Sequence, residues 1–149
     1  MVRLKPRHIG MVVPDLDASI AAASRPLGLG PFRVIGPEAF QAPQYFEKKY
    51  RGVGEDFAFR CAHADLGASE IELIQPVKGR TVYEEFLRQH GEGLHRIAVE
   101  VVDLDATVAA LEGEGGVVVQ SGRRTGLQWA YVEIGALNGL IVELMQPTT

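Results

Sequence analysis

The order of apolar and polar residues along the chain predicts short strands and amphipathic helices. An apolar run rich in β-branched residues at 8–13 predicts a strand, and Pro14-Asp15 then supplies a turn and a helix N-cap. Apolar side chains recur at helical spacing from Leu16 to about residue 25, which predicts a helix. Further strands are expected where apolar runs lie between glycine or proline turns, at residues 31–35, 44–51, 56–65 and 69–74.

The second half of the chain repeats this order. A strand is expected at 95–102, and Asp103 then caps a helix that extends to about residue 111. The remaining apolar runs predict strands at 117–120, 127–134 and 139–145.

Apart from the additional strand at 44–51 in the first half, each half reads βαβββ, which indicates an α+β fold. We predict a single domain over residues 1–149, made of two modules at about 5–77 and 93–147. The linker between them, at about 78–92, is expected to hold a helix over 81–89.

The two halves also open and close on the same types of residue. The first opens on His8 and closes on Glu72, and the second opens on His95 and closes on Glu143. Histidine and glutamate both bind divalent transition metals, so folding one copy against the other could bring four ligands together. The sequence therefore predicts a metal site at the seam between the halves.

The spacing within the halves differs. The two histidines are 87 positions apart (95 − 8 = 87), whereas the two glutamates are 71 apart (143 − 72 = 71). The first half thus carries about 16 extra residues between its ligands (87 − 71 = 16), and the region 41–54 is the expected place for this insert.

The surroundings of both glutamates support a function for them. Glu72 and Glu143 lie in largely apolar strands. Burying an unpaired carboxylate in such a place costs, as an order of magnitude, several kcal/mol of folding free energy. Both glutamates are therefore expected to be paired, hydrogen-bonded, protonated or bound to metal. His63 and His90 lack such matching partners and are predicted to be surface or linker residues.

Composition and charge exclude several classes of function. The formal net charge of the 149-residue chain is −4, and its basic clusters are short, which argues against nucleic-acid binding. Cys61 is a lone cysteine in an apolar run, so we expect a buried thiol in a reducing compartment. No apolar run is long enough to span a membrane, and no signal peptide is evident, so a cytoplasmic location is expected.

Several motifs resemble the vicinal oxygen chelate superfamily, which includes glyoxalase I, methylmalonyl-CoA epimerase, extradiol dioxygenases, and the fosfomycin and bleomycin resistance proteins. The resemblance covers essentially the whole chain. It rests on four segments, His8 with the following Pro14-Asp15-Leu16, Glu72 to Pro76, Gly93-Leu94-His95 and Gly139 to Leu144. The linker from Thr81 to His95 looks most like that of methylmalonyl-CoA epimerases.

This resemblance implies an open, cup-shaped sheet of eight strands around a divalent metal ion. It implies His8, Glu72, His95 and Glu143 as the ligands, and Co, Mn, Ni, Zn or Fe(II) as the ion. It also implies a homodimer. Two neighbouring oxygens of a small-molecule substrate would bind the open coordination positions, so that the ion stabilises an enolate-like intermediate.

The chemistry implied by the resemblance also needs a base. Glu143 or Glu72 is the first candidate, and Glu55 and Glu47 are weaker independent candidates. The predicted function is a metal-dependent isomerase or lyase that removes a proton α to a carbonyl, most like an acyl-CoA epimerase.

Departures from the epimerase pattern keep other functions open. Epimerases of this type commonly have a His-His pair where this chain has His95-Arg96, and a histidine-containing loop where it has residues 122–126. Glyoxalase I chemistry on a glutathione hemithioacetal is the second enzymatic hypothesis, and a non-catalytic, drug-sequestering protein is the third. Extradiol chemistry is disfavoured because it uses two histidines and one carboxylate, whereas four ligands are expected here.

Overall fold

The computed structural model of the chain describes residues 4–149. Within this range it has ten strands and three α-helices. In chain order these are β1 (Lys5–Val12), α1 (Leu16–Leu27), β2 (Arg33–Ile35), β3 (Tyr45–Tyr50), β4 (Val53–Gly54), β5 (Ala58–Leu66), β6 (Ser69–Lys78), α2 (Val82–His90), β7 (Gly93–Glu100), α3 (Leu104–Gly113), β8 (Val117–Arg124), β9 (Leu127–Ile134) and β10 (Leu140–Pro147).

The strands form one open, curled sheet in the order β2-β5-β6-β1-β7-β10-β9-β8-β3-β4. At its centre β1 and β7 pair antiparallel, and each has a parallel neighbour from its own half, β6 beside β1 and β10 beside β7. The predicted α+β class and the repeat are confirmed. The predicted number of eight strands is wrong, because the sheet has ten in the described part of the chain.

The two extra strands come from the predicted insert. Strands β3 and β4 form a hairpin within residues 45–54, and β3 pairs with β8 of the second half. The insert therefore leaves the sheet edge of its own half and extends the opposite edge. Sequence periodicity predicted a strand at this place but carried no information about its partner.

Both repeat helices begin in the same way. Asp15 and Asp103 are the N-caps of α1 and α3, and their carboxylates accept from the backbone N–H groups of Ala18 and Ala106. The Gln75 and Gln146 side chains accept from the N–H groups of the first helical residues, Leu16 at 2.9 Å and Leu104 at 2.7 Å. The repeated Gln-Pro at the end of each half thus anchors the helix of that half to the sheet.

Helices pack on both faces of the sheet. Helices α1 and α3 cover one face of the sheet through small aliphatic clusters around Leu16 and Leu104. On the other face an aromatic cluster lies together with α2, through Tyr83 and Phe86. Among residues 4–149 no helix has the length and apolar character needed to cross a membrane.

Candidate functional site

Strand register places the candidate ligands in two rows across the centre of the sheet. Residues paired between neighbouring strands share a face, so each row presents its side chains on one side. The first row crosses β5, β6, β1 and β7 and consists of His63, Glu72, Gly10 and Arg96. The second crosses β1, β7, β10 and β9 and consists of His8, Ala98, Glu143 and Tyr131.

Arg96 links the two predicted glutamate ligands. Its Nε donates to Glu143 Oε2 at 2.9 Å, and its Nη2 donates to Glu72 Oε1. His8 Nε2 lies 3.0 Å from Glu143 Oε2 and 3.6 Å from Glu72 Oε1. The structure therefore brings three predicted ligands together around a guanidinium group that is 1% exposed.

The space for this guanidinium exists because residue 10 is glycine. A Cβ atom on Gly10 would lie 2.5 Å from Arg96 Nη1 and 2.9 Å from its Cγ, both closer than a van der Waals contact. The Arg96 side chain therefore lies directly over the Gly10 backbone, between the two carboxylates.

Gly10→Ala is expected to lower the free energy of unfolding by about 1–3 kcal/mol, the usual range for forcing extra volume into a packed core. The measurement is urea unfolding followed by circular dichroism. Gly54→Ala is the matched control, since an added Cβ there meets nothing within 4 Å. Equal stability of the two variants would contradict the packing of Arg96 over Gly10.

The structure does not bring His95, the fourth predicted ligand, into this cluster. His95 packs against the rings of Tyr83 and Phe86, at centroid distances of 5.9 and 4.9 Å, and lines a separate small cavity beside α2. Its Nδ1 lies 3.5 Å from Nη1 of Arg96. The His95 imidazole therefore contacts the Arg96 guanidinium without joining the cluster of carboxylates.

The repeat offset explains this difference from the sequence prediction. Gly10 pairs with Arg96 and Met11 with Leu94, so His95 is an additional, bulged residue in β7, as Arg7 is in β1. The two helix starts give an offset of 88 between the repeats (104 − 16 = 88). With that offset the counterpart of His8 is Arg96 (96 − 8 = 88), and the counterpart of His95 is Arg7 (95 − 7 = 88).

His63 is a site residue that the sequence interpretation missed. It was predicted to be a surface or linker residue, but its side chain is 17% exposed and its Nε2 lies 2.9 Å from Glu72 Oε2. Its Nδ1 is buried and has no hydrogen-bond partner among residues 4–149, because the approach to Glu70 Oε2 at 3.4 Å lacks hydrogen-bond geometry. Alternation along β5 could have found it, since His63 lies two residues after Cys61 on the same face.

The electrostatics of the cluster set its protonation states. Burial alone would raise the pKa of Glu143, but the charges of His8 and Arg96 outweigh it and lower the pKa to about 2. Burial, reinforced by the charge on His8, lowers the pKa of His63 to about 4, and burial lowers that of His95 to about 4. At neutral pH, Glu143 is a carboxylate and both of these histidines are neutral.

The side chains of His8, His63, Glu72 and Glu143 line the floor of a cavity of about 520 Å³. Aromatic side chains form part of its wall, and Phe40 stacks on Phe59 with ring centroids 3.9 Å apart. Tyr83 and Tyr131 also line it and share a hydrogen bond of 2.6 Å between their hydroxyl groups. An apolar wall around a few polar groups is typical of sites for small molecules.

The two weaker base candidates lie outside this cavity. Glu47 is exposed on β3 and pairs with Arg123, at 3.2 Å between Oε2 and Nε. Glu55 pairs with Arg80 at 2.7 Å. Neither residue lines the cavity that contains His8, Glu72 and Glu143.

The donors on the cavity floor fit a divalent transition-metal ion. His8, His63 and Glu72 each offer one ligand atom, and these atoms all lie within 4.8 Å of one another. His63 Nε2 lies 2.9 Å from Glu72 Oε2, and the neutral state of this imidazole suits coordination, since imidazole binds metals through a free lone pair. Arg96 cannot be a ligand, because a guanidinium has no acceptor atom.

Comparison of sequences gives a family. The profile described as the glyoxalase/bleomycin resistance protein/dioxygenase superfamily matches residues 7–132. An uncharacterized protein of Bacillus subtilis (strain 168), YqjC, is 28% identical over 96 residues, which cover 62% of this chain and 69% of that protein.

Comparison of structures shows the same fold in methylmalonyl-CoA epimerases. A variant of the Streptomyces coelicolor enzyme in complex with 2-nitronate-propionyl-CoA is 24% identical with a TM-score of 0.70, covering 99% of this chain and 100% of that one. The Mycobacterium tuberculosis enzyme is 24% identical with a TM-score of 0.68, covering 97% and 89%. At this identity the likeness concerns the fold.

Proposed function

Because the chain belongs to the glyoxalase/bleomycin resistance protein/dioxygenase superfamily, we propose that it is an enzyme that removes a proton next to a carbonyl group, as an isomerase or lyase does. The observation that carries this proposal is Glu143. It is an ionised carboxylate that lines the cavity, beside donors that fit a divalent ion. The homodimer implied by the resemblance stays a prediction.

Glu143 is the better base of the two buried glutamates. The hydrogen bonds that the described residues make with it both go to Oε2, which leaves Oε1 for a substrate proton. In Glu72, by contrast, Oε1 accepts from Arg96 and Oε2 faces His63 at 2.9 Å. Glu72 is therefore occupied as a ligand and anchor, whereas Glu143 keeps a free oxygen.

The proposed step is a proton transfer. The α C–H bond breaks, its proton goes to Glu143, and the electron pair delocalises onto the carbonyl oxygen of the substrate. A metal ion held by His8 and Glu72 would supply Lewis-acid stabilisation of that oxygen. Because the pKa of Glu143 is about 2, it is a weak base, so the transfer depends on this stabilisation.

The tyrosine pair offers a hydrogen bond to the same intermediate. Burial raises the pKa of Tyr131, and of Tyr83, well above the ordinary value, so both hydroxyl groups stay protonated. Only one of their two protons is used between them, at 2.6 Å. The other proton can bind a substrate oxygen in the cavity that both residues line.

An acyl-CoA thioester is the first substrate to test. The cavity of about 520 Å³ has the volume of a small-molecule site and would hold the acyl and thioester groups. The exposed Arg7 and Arg124 also line it, and they would contact an anionic tail that leaves the cavity. The Streptomyces coelicolor methylmalonyl-CoA epimerase variant, which has the same fold, was solved in complex with 2-nitronate-propionyl-CoA.

Incubation with methylmalonyl-CoA in heavy water tests this proposal. With metal-loaded protein, the substrate is expected to gain deuterium at its α-carbon, and its two epimers are expected to interconvert. Mass spectrometry or NMR measures the deuterium content. The glutathione hemithioacetal of methylglyoxal is assayed in parallel. Exchange with this compound alone would keep the proton-abstracting class and identify the lyase.

Tight binding of either compound without any proton exchange would overturn the proposal in favour of sequestration. The Glu47→Gln variant is the matched control, because this exposed carboxylate lies outside the cavity. It is expected to retain the full exchange rate.

A further inference from the structure

The two halves of the site are not chemically equivalent. Glu72 corresponds to Glu143 by strand register, since Glu72 pairs with Gly10 and Glu143 pairs with Ala98, the counterpart of Gly10 (98 − 10 = 88). Their antiparallel neighbours are His63 and Tyr131. The first half therefore offers an imidazole where the second offers a phenol with a raised pKa, which is a poor metal ligand at neutral pH.

The seam itself is already occupied by a cation. Arg96 takes the place that corresponds to His8, and it contacts the carboxylates of both Glu72 and Glu143. The guanidinium remains charged at any relevant pH and offers no lone pair. A divalent ion placed between the same two carboxylates would meet this charge at close range in a buried region, where Coulomb repulsion is weakly screened.

The remaining donors lie on the first half. His8, His63 and Glu72 come from β1, β5 and β6, and their ligand atoms fall within 4.8 Å of one another. Glu72 can serve both cations, because Oε1 is used by Arg96 while Oε2 faces His63. The rings of His8 and His63 meet edge to face at 5.7 Å, so both imidazoles approach the same space.

We propose that Arg96 excludes the metal ion from the seam, so that the ion binds His8, His63 and Glu72 in the first half and Glu143 stays unligated. This inference rests on the proposed function only for the role of Glu143 as the base, and the ligand set stands on geometry. Two histidines and one carboxylate leave open positions for a substrate that chelates through two oxygens.

Metal titration of the chelator-treated full chain tests this ligand set. Co(II) is the probe, followed by its visible absorption and by calorimetry. The wild type is expected to bind one ion per chain. His63→Ala is expected to weaken binding by more than about 100-fold, since loss of an outer-sphere partner alone costs about 10–100-fold.

Three variants serve as comparisons in the same titration. His95→Ala and His90→Ala are expected to keep the wild-type affinity within a few fold, because neither belongs to the cluster of three donors. Glu143→Gln is also expected to keep its affinity for Co(II). In an Arg96→His background, by contrast, Glu143→Gln is expected to weaken binding, because the imidazole admits the ion to the seam.

NMR of imidazole nitrogens in the wild type gives the same answer without relying on folded variants. Zn(II) is expected to shift the signals of His8 and His63 and to leave His95 in place. Loss of affinity in His95→Ala with retention in His63→Ala would overturn the inference, as would a wild-type chain that binds no ion.

The outcomes separate this inference from the proposed function. A chain that exchanges the substrate α-proton but holds no metal through His63 overturns the ligand set alone. A chain that binds the ion through His63 but exchanges no substrate proton leaves the ligand set standing and rejects the proposed function.

Discussion

Replacing Arg96 with leucine is expected to lower the free energy of unfolding by about 3–5 kcal/mol, the usual cost of removing one partner from a buried ion pair. The substitution leaves the carboxylates of Glu72 and Glu143, both almost fully buried, without their guanidinium. Urea unfolding at pH 7, monitored by circular dichroism, measures the change.

Arg33→Leu is the matched control for this substitution. Arg33 also pairs with a glutamate of β6, Glu70, but its side chain is 56% exposed. An exposed pair contributes about 0–1 kcal/mol, so this variant is expected to retain nearly all its stability. A similar small loss in Arg96→Leu would show that the buried carboxylates do not depend on the guanidinium.

Acid should reduce the difference between wild type and Arg96→Leu. The pKa of Glu143 is lowered to about 2 in the folded protein against an ordinary value of 4.5, because His8 and Arg96 outweigh the effect of burial. A lowered pKa contributes stability that is present above about 4.5 and is lost as the pH falls toward 2. The same unfolding series at decreasing pH therefore provides an internal check.

Glu143→Gln is expected to lower kcat for α-proton exchange by about 10²–10⁴-fold, the usual contribution of a general base. The amide keeps the shape of the side chain and can still accept a hydrogen bond from Arg96, but it cannot take up the substrate proton. Initial exchange rates at saturating substrate, together with KM, measure the effect. A loss confined to KM would contradict the role of Glu143 as the base and indicate a binding role.

Most of the fold could be predicted from local patterns in the sequence. Asp15 and Asp103 predict the starts of their helices, because an N-cap hydrogen bond involves only residues close in sequence. The repeated Gln-Pro marks the strand that ends each half. The partner of β3 could not be predicted in this way. Strand pairing across the molecule depends on tertiary packing, which a periodicity of two does not encode.

Three of the four predicted ligands come together in the structure, and the fourth does not. His8, Glu72 and Glu143 follow from the repeat, but matching His8 to His95 required an offset that is one residue too short. The echo of Asp15-Leu16 at Asp103-Leu104 contains the correct offset, and it was available in the sequence. An offset error of one residue is enough to assign a histidine to the position between the two glutamates that Arg96 occupies.

The presence of Arg96, where a histidine ligand was expected, also changes the argument against extradiol chemistry. Extradiol chemistry was disfavoured because four ligands were expected, whereas the described donors that come together are two histidines and one carboxylate. Ligand number therefore no longer separates the two enzymatic classes. Substrate assays and the role of Glu143 now separate them.

The hairpin of β3 and β4 has a consequence for how the molecule is made. Its strand β3 is synthesised with the first half, but β8, its partner, belongs to the second. While only the first half has emerged from the ribosome, β3 therefore has an unpaired edge, and such an edge favours aggregation. The duplicated units have become mutually dependent, and neither can complete its sheet before the whole chain is available.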